Sequence, residues 1–107
     1  MVYNVTFSEL AEKQFNEYLG YLLYVKKNKQ AAERLIEDFE ETKEALASVA
    51  DSLKYCTSPL LKGKGYRKIF FKRHRYLFIY QVIDRRVEVS AMYHELQDYE
   101  NLFQTEC

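Results

Sequence analysis

Tryptophan is missing from this chain of 107 residues, and glycine, proline and cysteine are scarce, with three, one and two copies. The few glycines form no phosphate loop: Gly63-Lys64-Gly65 is too short for a nucleotide-binding turn and precedes a strand rather than a helix. Cys56 and Cys107 lie far apart and fit no metal-ligand spacing, so two reduced thiols in a cytoplasmic protein are expected. Met1 is followed by alternating polar and apolar residues instead of a basic head and a long apolar run, so no signal peptide is expected. No run is long and apolar enough to span a bilayer, and no membrane partner is expected. Paired carboxylates at a strand end, a Ser-His-Asp set and a metal constellation of the two histidines with the two cysteines are missing too, so neither cofactor nor metal is expected. Repeats, low-complexity tracts and linkers are absent, and the length suits one domain, residues 1–107.

What is present is apolar and aromatic: 48% of residues are hydrophobic, with ten tyrosines and seven phenylalanines, enough to pack a core. Net charge is zero, but the charges are segregated. Residues 1–53 hold six basic and ten acidic side chains, residues 54–94 ten and two, and residues 95–107 none and four, giving −4, +8 and −4. A concentrated basic region from Lys54 to His94 is what a polyanion or an acidic protein partner requires; the alternative is a charged sheet edge that resists aggregation.

The periodicities predict an α+β domain. Tyr3, Val5 and Phe7 alternate as in a strand over residues 2–7. Thr6 with Glu9 fits a capping box and Ser8 is an alternative N-cap, so a helix should begin near position 8. Its stripe is Ala11, Phe15, Tyr18, Leu22 and Val25, with Gly20 a local weak point. Lys26-Lys27-Asn28-Lys29 should turn the chain, with Asn28 suited to a left-handed conformation. A second helix should bury Ala32, Leu35, Ile36, Phe39, Leu46 and Val49, with Glu33, Glu37, Asp38, Glu40, Glu41 and Glu44 on its other faces. The two, each about 20 residues and 30 Å long, form an antiparallel hairpin. After a loop marked by Pro59, Gly63 and Gly65, three strands follow: Tyr66 to Phe71, Tyr76 to Ile83 and Val87 to Tyr93. Lys72-Arg73-His74-Arg75 and Asp84-Arg85 are their turns, forming an antiparallel meander. The middle strand reads as covered on both faces. The last reads as half-exposed, with Val87, Val89, Ala91 and Tyr93 on one face and Glu88, Ser90, Met92 and His94 on the other. Residues 95–103 suit a short C-terminal helix with Leu96, Tyr99 and Phe103 inward. Helices on one face of a four-stranded sheet would leave its other face or its loops free.

The chemistry-bearing side chains cluster on the meander. Lys62, Lys64, Arg67, Lys68, Lys72, Arg73, Arg75, Arg85 and Arg86, with Tyr93 and His94, suit RNA, since cations neutralise phosphates and tyrosine stacks on bases. Metal-free cleavage needs one group to take the 2′-hydroxyl proton, another to protonate the leaving oxygen, and fixed cations. His94 is either that acid or base, with Arg67 or Lys64 as the clamp, or a strand-end histidine satisfied by a carbonyl. His74, at a hairpin tip, reads as solvated, and Tyr76, Tyr80 and Tyr66 as core.

Tyr66-Arg67-Lys68-Ile69, the run from Arg75 to Asp84, and Tyr93-His94 with Asp98-Tyr99 behind it resemble the C-terminal half of RelE/ParE-family toxins of type II toxin–antitoxin systems. The initial strand, the helical hairpin and Gln30-Ala31-Ala32-Glu33-Arg34-Leu35 are similar to the ParE-type branch, so the resemblance covers nearly the whole chain. It implies a growth-arresting toxin that either cleaves messenger RNA on the ribosome without a metal or binds and poisons DNA gyrase, with an inactive interaction module as a third reading. For cleavage it implies His94, Arg67, Tyr93 and Arg75 as catalytic residues and Lys62, Lys64, Lys68, Lys72, Arg73 and Tyr99 as RNA-binding ones. Leu77 stands where one nuclease branch has an arginine, and Glu95 where another has an aromatic. The resemblance also implies a cognate antitoxin, small and DNA-binding, with a segment covering the basic site and the exposed sheet face.

Overall fold

The computed structural model describes residues 2–106, so Cys107 and Met1 lie outside the described residues. Strand β1 (Asn4–Phe7) leads into helix α1 (Glu9–Gly20), which starts at Ser8: its hydroxyl accepts the Ala11 N–H at 3.1 Å and donates to the Ser90 carbonyl at 2.8 Å. The first helix does not stop at Gly20 but widens into one π-helical turn, Tyr21–Val25, in which Lys26 N–H reaches back to the Tyr21 carbonyl. Lys27, not Asn28, takes the left-handed conformation, with φ of 50°. Asn28 is needed elsewhere: its N–H closes on the Leu22 carbonyl and its side chain caps α2 (Lys29–Val49) through the Ala31 N–H, which requires an extended backbone.

A 3₁₀ turn (Ala50–Ser52) and a short helix α3 (Pro59–Gly63), where a loop was expected, lead to β2 (Arg67–Phe70), β3 (Tyr76–Ile83), β4 (Arg86–His94) and α4 (Tyr99–Glu106). The sheet order is β1-β4-β3-β2, with β1 parallel to β4 and the meander antiparallel. Tyr3, Leu35, Leu46, Phe78 and Tyr80 form the core under the helices, with Phe7, Phe15 and Phe39 stacked beside it. No helix among the described residues is long and apolar enough to cross a membrane.

Two expectations about the sheet fail, the alternation along β4 and the free far face. Val89 pairs with Tyr80 and Ala91 with Ile79, so Ser90 is an extra residue, a β-bulge. Beyond it the alternation reverses. Val87, Val89 and Met92 face the helices, while Ala91 and Tyr93 face away, and β4 is buried on both faces over most of its length. The far face is not free either: Leu77, Ile79, Ala91 and Tyr93 are covered by Cys56, Leu61 of α3 and Phe103 of α4. Burial, with Glu100 nearby, pushes the Cys56 thiol up to about 11, so it is no ready nucleophile at neutral pH. In the helices, Val25, Ile36 and Val49 are more exposed than their stripes implied, whereas Asp38 is fully buried. Leu96 points outward, 75% exposed, because α4 begins only at Tyr99.

Phe78, fully buried, meets Phe7, Phe39 and Phe71 at centroid distances of 5.5, 5.4 and 5.0 Å. Phe78→Ala should cost about 3–5 kcal/mol in urea denaturation, whereas half-exposed Phe70→Ala should cost less than about 1 kcal/mol.

Candidate functional site

The basic meander divides between the two ends of the sheet. At one end the β2–β3 turn, residues 72–75, is fastened to α2. Asp38 sends one carboxylate oxygen to the backbone N–H groups of Arg73 and His74, both at 3.0 Å, and to His74 Nδ1 at 2.8 Å. Its other oxygen is buried without a partner among the described residues. His74 is therefore half-buried in an ion pair or hydrogen bond rather than solvated, and Arg73 extends to Glu41 at 2.8 Å. Burial alone would raise the Asp38 carboxyl, but the His74 ring and the two N–H groups outweigh it and hold it below the usual carboxylate value.

Next to this turn Tyr76 pairs across the sheet with His94, ring centroids 5.2 Å apart and edge-on, and tilts against Tyr18 of α1 at 4.7 Å. Burial, with Tyr76 alongside, pushes the Tyr18 phenol up to about 12. His94 Nδ1 accepts the Leu96 N–H at 3.1 Å, so a neutral ring carries its proton on Nε2. Arg75, one residue before Tyr76 and opposite Glu95, is 67% exposed, with only a loose 3.7 Å contact to the Glu95 carboxylate.

Arg67 sits elsewhere. It pairs with Tyr80, four residues along β3 from the partner of His94, which puts it roughly 13 Å along the sheet and two strands away. Its guanidinium lies 4.0 Å over the Tyr55 ring and donates to the Tyr55 hydroxyl and the Leu53 carbonyl. Lys62 and Lys64 are exposed on and after α3, at this second end. Tyr93 faces the α4 side of the sheet, buried, its hydroxyl bonded to Glu106; burial first, and then Glu106, push its phenol up.

Between the ends, the acidic tail is tied to the basic strand. Glu100 of α4 accepts from the N–H groups of Thr57 and Ser58, at 3.0 and 2.6 Å, and from Lys68 Nζ at 3.1 Å; Lys68 also donates to the Tyr99 hydroxyl at 3.1 Å. Burial would raise Glu100, but these donors more than offset it and its carboxyl is held low. Burial likewise opposes the charge on Lys68, and Tyr99 and Glu100 overcome it to raise the ammonium. Of the residues singled out from sequence, the fold thus places His94, Arg75, Arg73 and Lys72 at one end of the sheet. It ties Lys68 to Tyr99, and separates Arg67, Lys62, Lys64 and Tyr93 from that group. Asp38 and Glu100 were missed. Asp38 was legible in principle, since it continues the buried series Leu35, Thr42 and Leu46 at spacings of three and four; nothing in sequence marks Glu100. Among the described residues no three His, Cys, Asp or Glu side chains are placed to hold a metal ion.

A family profile described as the ParE toxin of the type II toxin–antitoxin system parDE matches residues 5–99, from β1 to the start of α4. The chain belongs to the ParE toxin family. Among solved structures, this ParE-family toxin is similar to a chain of the "Chromosomal ParDE TA system from P. aeruginosa", with a TM-score of 0.69 and 14% identity. That match covers 87% of the toxin and 96% of the other chain, a likeness of fold. Comparison with curated protein sequences finds no match. A toxin of a type II system has a cognate antitoxin as its partner.

Both depressed carboxyls stabilise the fold above the ordinary carboxyl values, about 3.9 for aspartate and 4.3 for glutamate, and that contribution is lost as pH falls through the lower folded values. Asp38→Asn and Glu100→Gln should each be less stable than the parent at neutral pH, and the difference should shrink below about pH 4. Urea midpoints measured from pH 3 to 7 check this; a constant difference across the range would contradict it.

Proposed function

We propose that this ParE-family toxin arrests growth by binding DNA gyrase rather than by cutting messenger RNA. The observation that carries the reading is the dispersal of the expected nuclease set. Cleavage without a metal needs a base, an acid and a cationic clamp around one phosphate. Here Arg67 is stacked on Tyr55 at the far end of the sheet, and Tyr93 is buried and bonded to Glu106. Lys68 is held by Tyr99 and Glu100. Binding a protein target needs no such convergence.

One observation favours the second reading, metal-independent cleavage on the ribosome. His94, with its proton on Nε2 when neutral, stands at the same end of the sheet as exposed Arg75 and could serve one proton transfer. The antitoxin segment expected over a bare sheet face meets a different surface, because α3 and α4 already occupy that face. Its acidic groups would find free cations at the two ends instead.

Controlled expression separates the two. Growth arrest, a DNA-damage response, intact messages and gyrase co-purifying with the tagged toxin are expected, all of them retained in His94→Gln. Codon-positioned cuts that disappear in His94→Gln, mapped by primer extension, would reverse the assignment.

A further inference from the structure

The helical hairpin overhangs the end of the sheet that holds His94. Tyr18 packs on Tyr76 there, and α1 with its π-helical turn runs seven residues farther to Val25, about 10 Å at 1.5 Å per residue. On the return, α2 covers nine residues from Lys29 before Asp38 meets the β2–β3 turn, about 13 Å. The two turns, remote in sequence, therefore lie on the same end of the molecule, the helical one projecting beyond the other.

That projection is unusually uncovered. Tyr24 is 77% exposed, Tyr21 50% and Val25 66%. Lys26, Lys27 and Lys29 are exposed and have no carboxylate within ion-pair distance among the described residues, as is true of Lys72 on the neighbouring turn. Arg75 adds a loosely held cation. Carboxylates are present but set back: Glu41 is taken by Arg73, and Glu33 and Glu37 lie one and two turns down α2 from Lys29. Lys26 covers Tyr21 at 5.8 Å, whereas among the described residues no cation or aromatic ring stacks on Tyr24. The second end of the sheet, with Lys62 and Lys64, has no such projecting pair of tyrosines.

We propose that this composite end binds single-stranded nucleic acid, with phosphates against Lys26, Lys29, Lys72 and Arg75 and an unstacked base on Tyr24. Lysines spaced around an exposed ring suit a backbone of repeated charge and a base with a π face. An interface core for a protein partner is ordinarily depleted in lysine, and here the lysines outnumber the apolar side chains. The surface is independent of the gyrase reading: it concerns the purified toxin and an oligonucleotide, so its failure leaves that reading untouched.

The test is fluorescence anisotropy of the full-length toxin with a labelled oligo-dT strand, the matching RNA strand and a duplex, across salt concentrations. With four or five phosphates engaged, log affinity should fall against log salt with a slope of about −3. Lys26→Glu/Lys29→Glu/Lys72→Glu should weaken binding by about tenfold or more at low salt, and Tyr24→Ala by about fivefold or more. Lys62→Glu/Lys64→Glu, at the opposite end, should stay within about twofold. Lys26 and Lys64 close their helical turns through backbone N–H groups, which substitution leaves in place, and a glutamate at the first position of α2 suits its dipole; Lys62 lies in the last turn of α3, so circular dichroism checks the fold of every variant. No saturable binding, a loss as large in the Lys62/Lys64 variant, tighter binding to duplex, or competition by polyglutamate as strong as by oligo-dT would each overturn the proposal.

Discussion

Ser90 has no opposite number on β3, and much of the molecule depends on that extra residue. A strand's side chains alternate strictly, so inserting one residue moves every later side chain to the other face. Met92 thereby joins Val87 and Val89 beneath the helices, while Ala91 and Tyr93 turn toward α3 and α4. His94 follows Met92 to the helix side and meets Tyr76, and Tyr93 moves to the α4 side, where its hydroxyl meets Glu106. The bulge is held in place from α1: the Ser90 carbonyl accepts from Ser8, the residue that caps the helix, and the Met92 N–H is taken by Gln14 at 2.7 Å. One cap and one amide thus fix both the second core and the surroundings of the histidine.

The charge segregation acquires a different meaning in three dimensions. A run of +8 in sequence suggests a single cationic surface, yet antiparallel strands carry their turns to opposite ends, so the cations of the meander divide between two sites about a strand length apart. Part of the −4 tail is spent on the chain itself, where Glu100 holds Lys68 and the start of α3. Lys26, Lys27 and Lys29, inside a segment whose net charge is negative, are brought instead to the His94 end. Sequence averages therefore assigned these lysines to an acidic half when the fold places them with the basic turn.

Asp38 shows how much local geometry one buried carboxylate can organise. Backbone N–H groups in a turn have no strand partner, and leaving them unpaired against a helix would be costly. Asp38 satisfies two of them and a histidine ring at once, at the expense of one unpaired oxygen. The β2–β3 turn is consequently a fixed feature of the α2 surface, and the positions of Lys72, Arg73 and Arg75 follow from it.

By itself the sequence determined the α+β class, the helical hairpin, the order of elements along the chain, the turns at residues 72–75 and Asp84, and most of the core, because hydrophobic period and turn chemistry are local properties of the chain. The resemblance to toxin families was legible for the same reason, resting on an apolar pattern spread over nearly every element. Only the tertiary structure decided which functional side chains share a site. The anchoring of the Ser90 bulge by Ser8 and Gln14 and the burial of Asp38 arise from packing between distant segments, with partners 82, 78 and 35 positions apart. So does the covering of the far sheet face by α3 and α4. No local pattern marks the extra residue in β4, and that one residue decides whether His94 faces α3 and α4 or, as it does, the helix side with Tyr76.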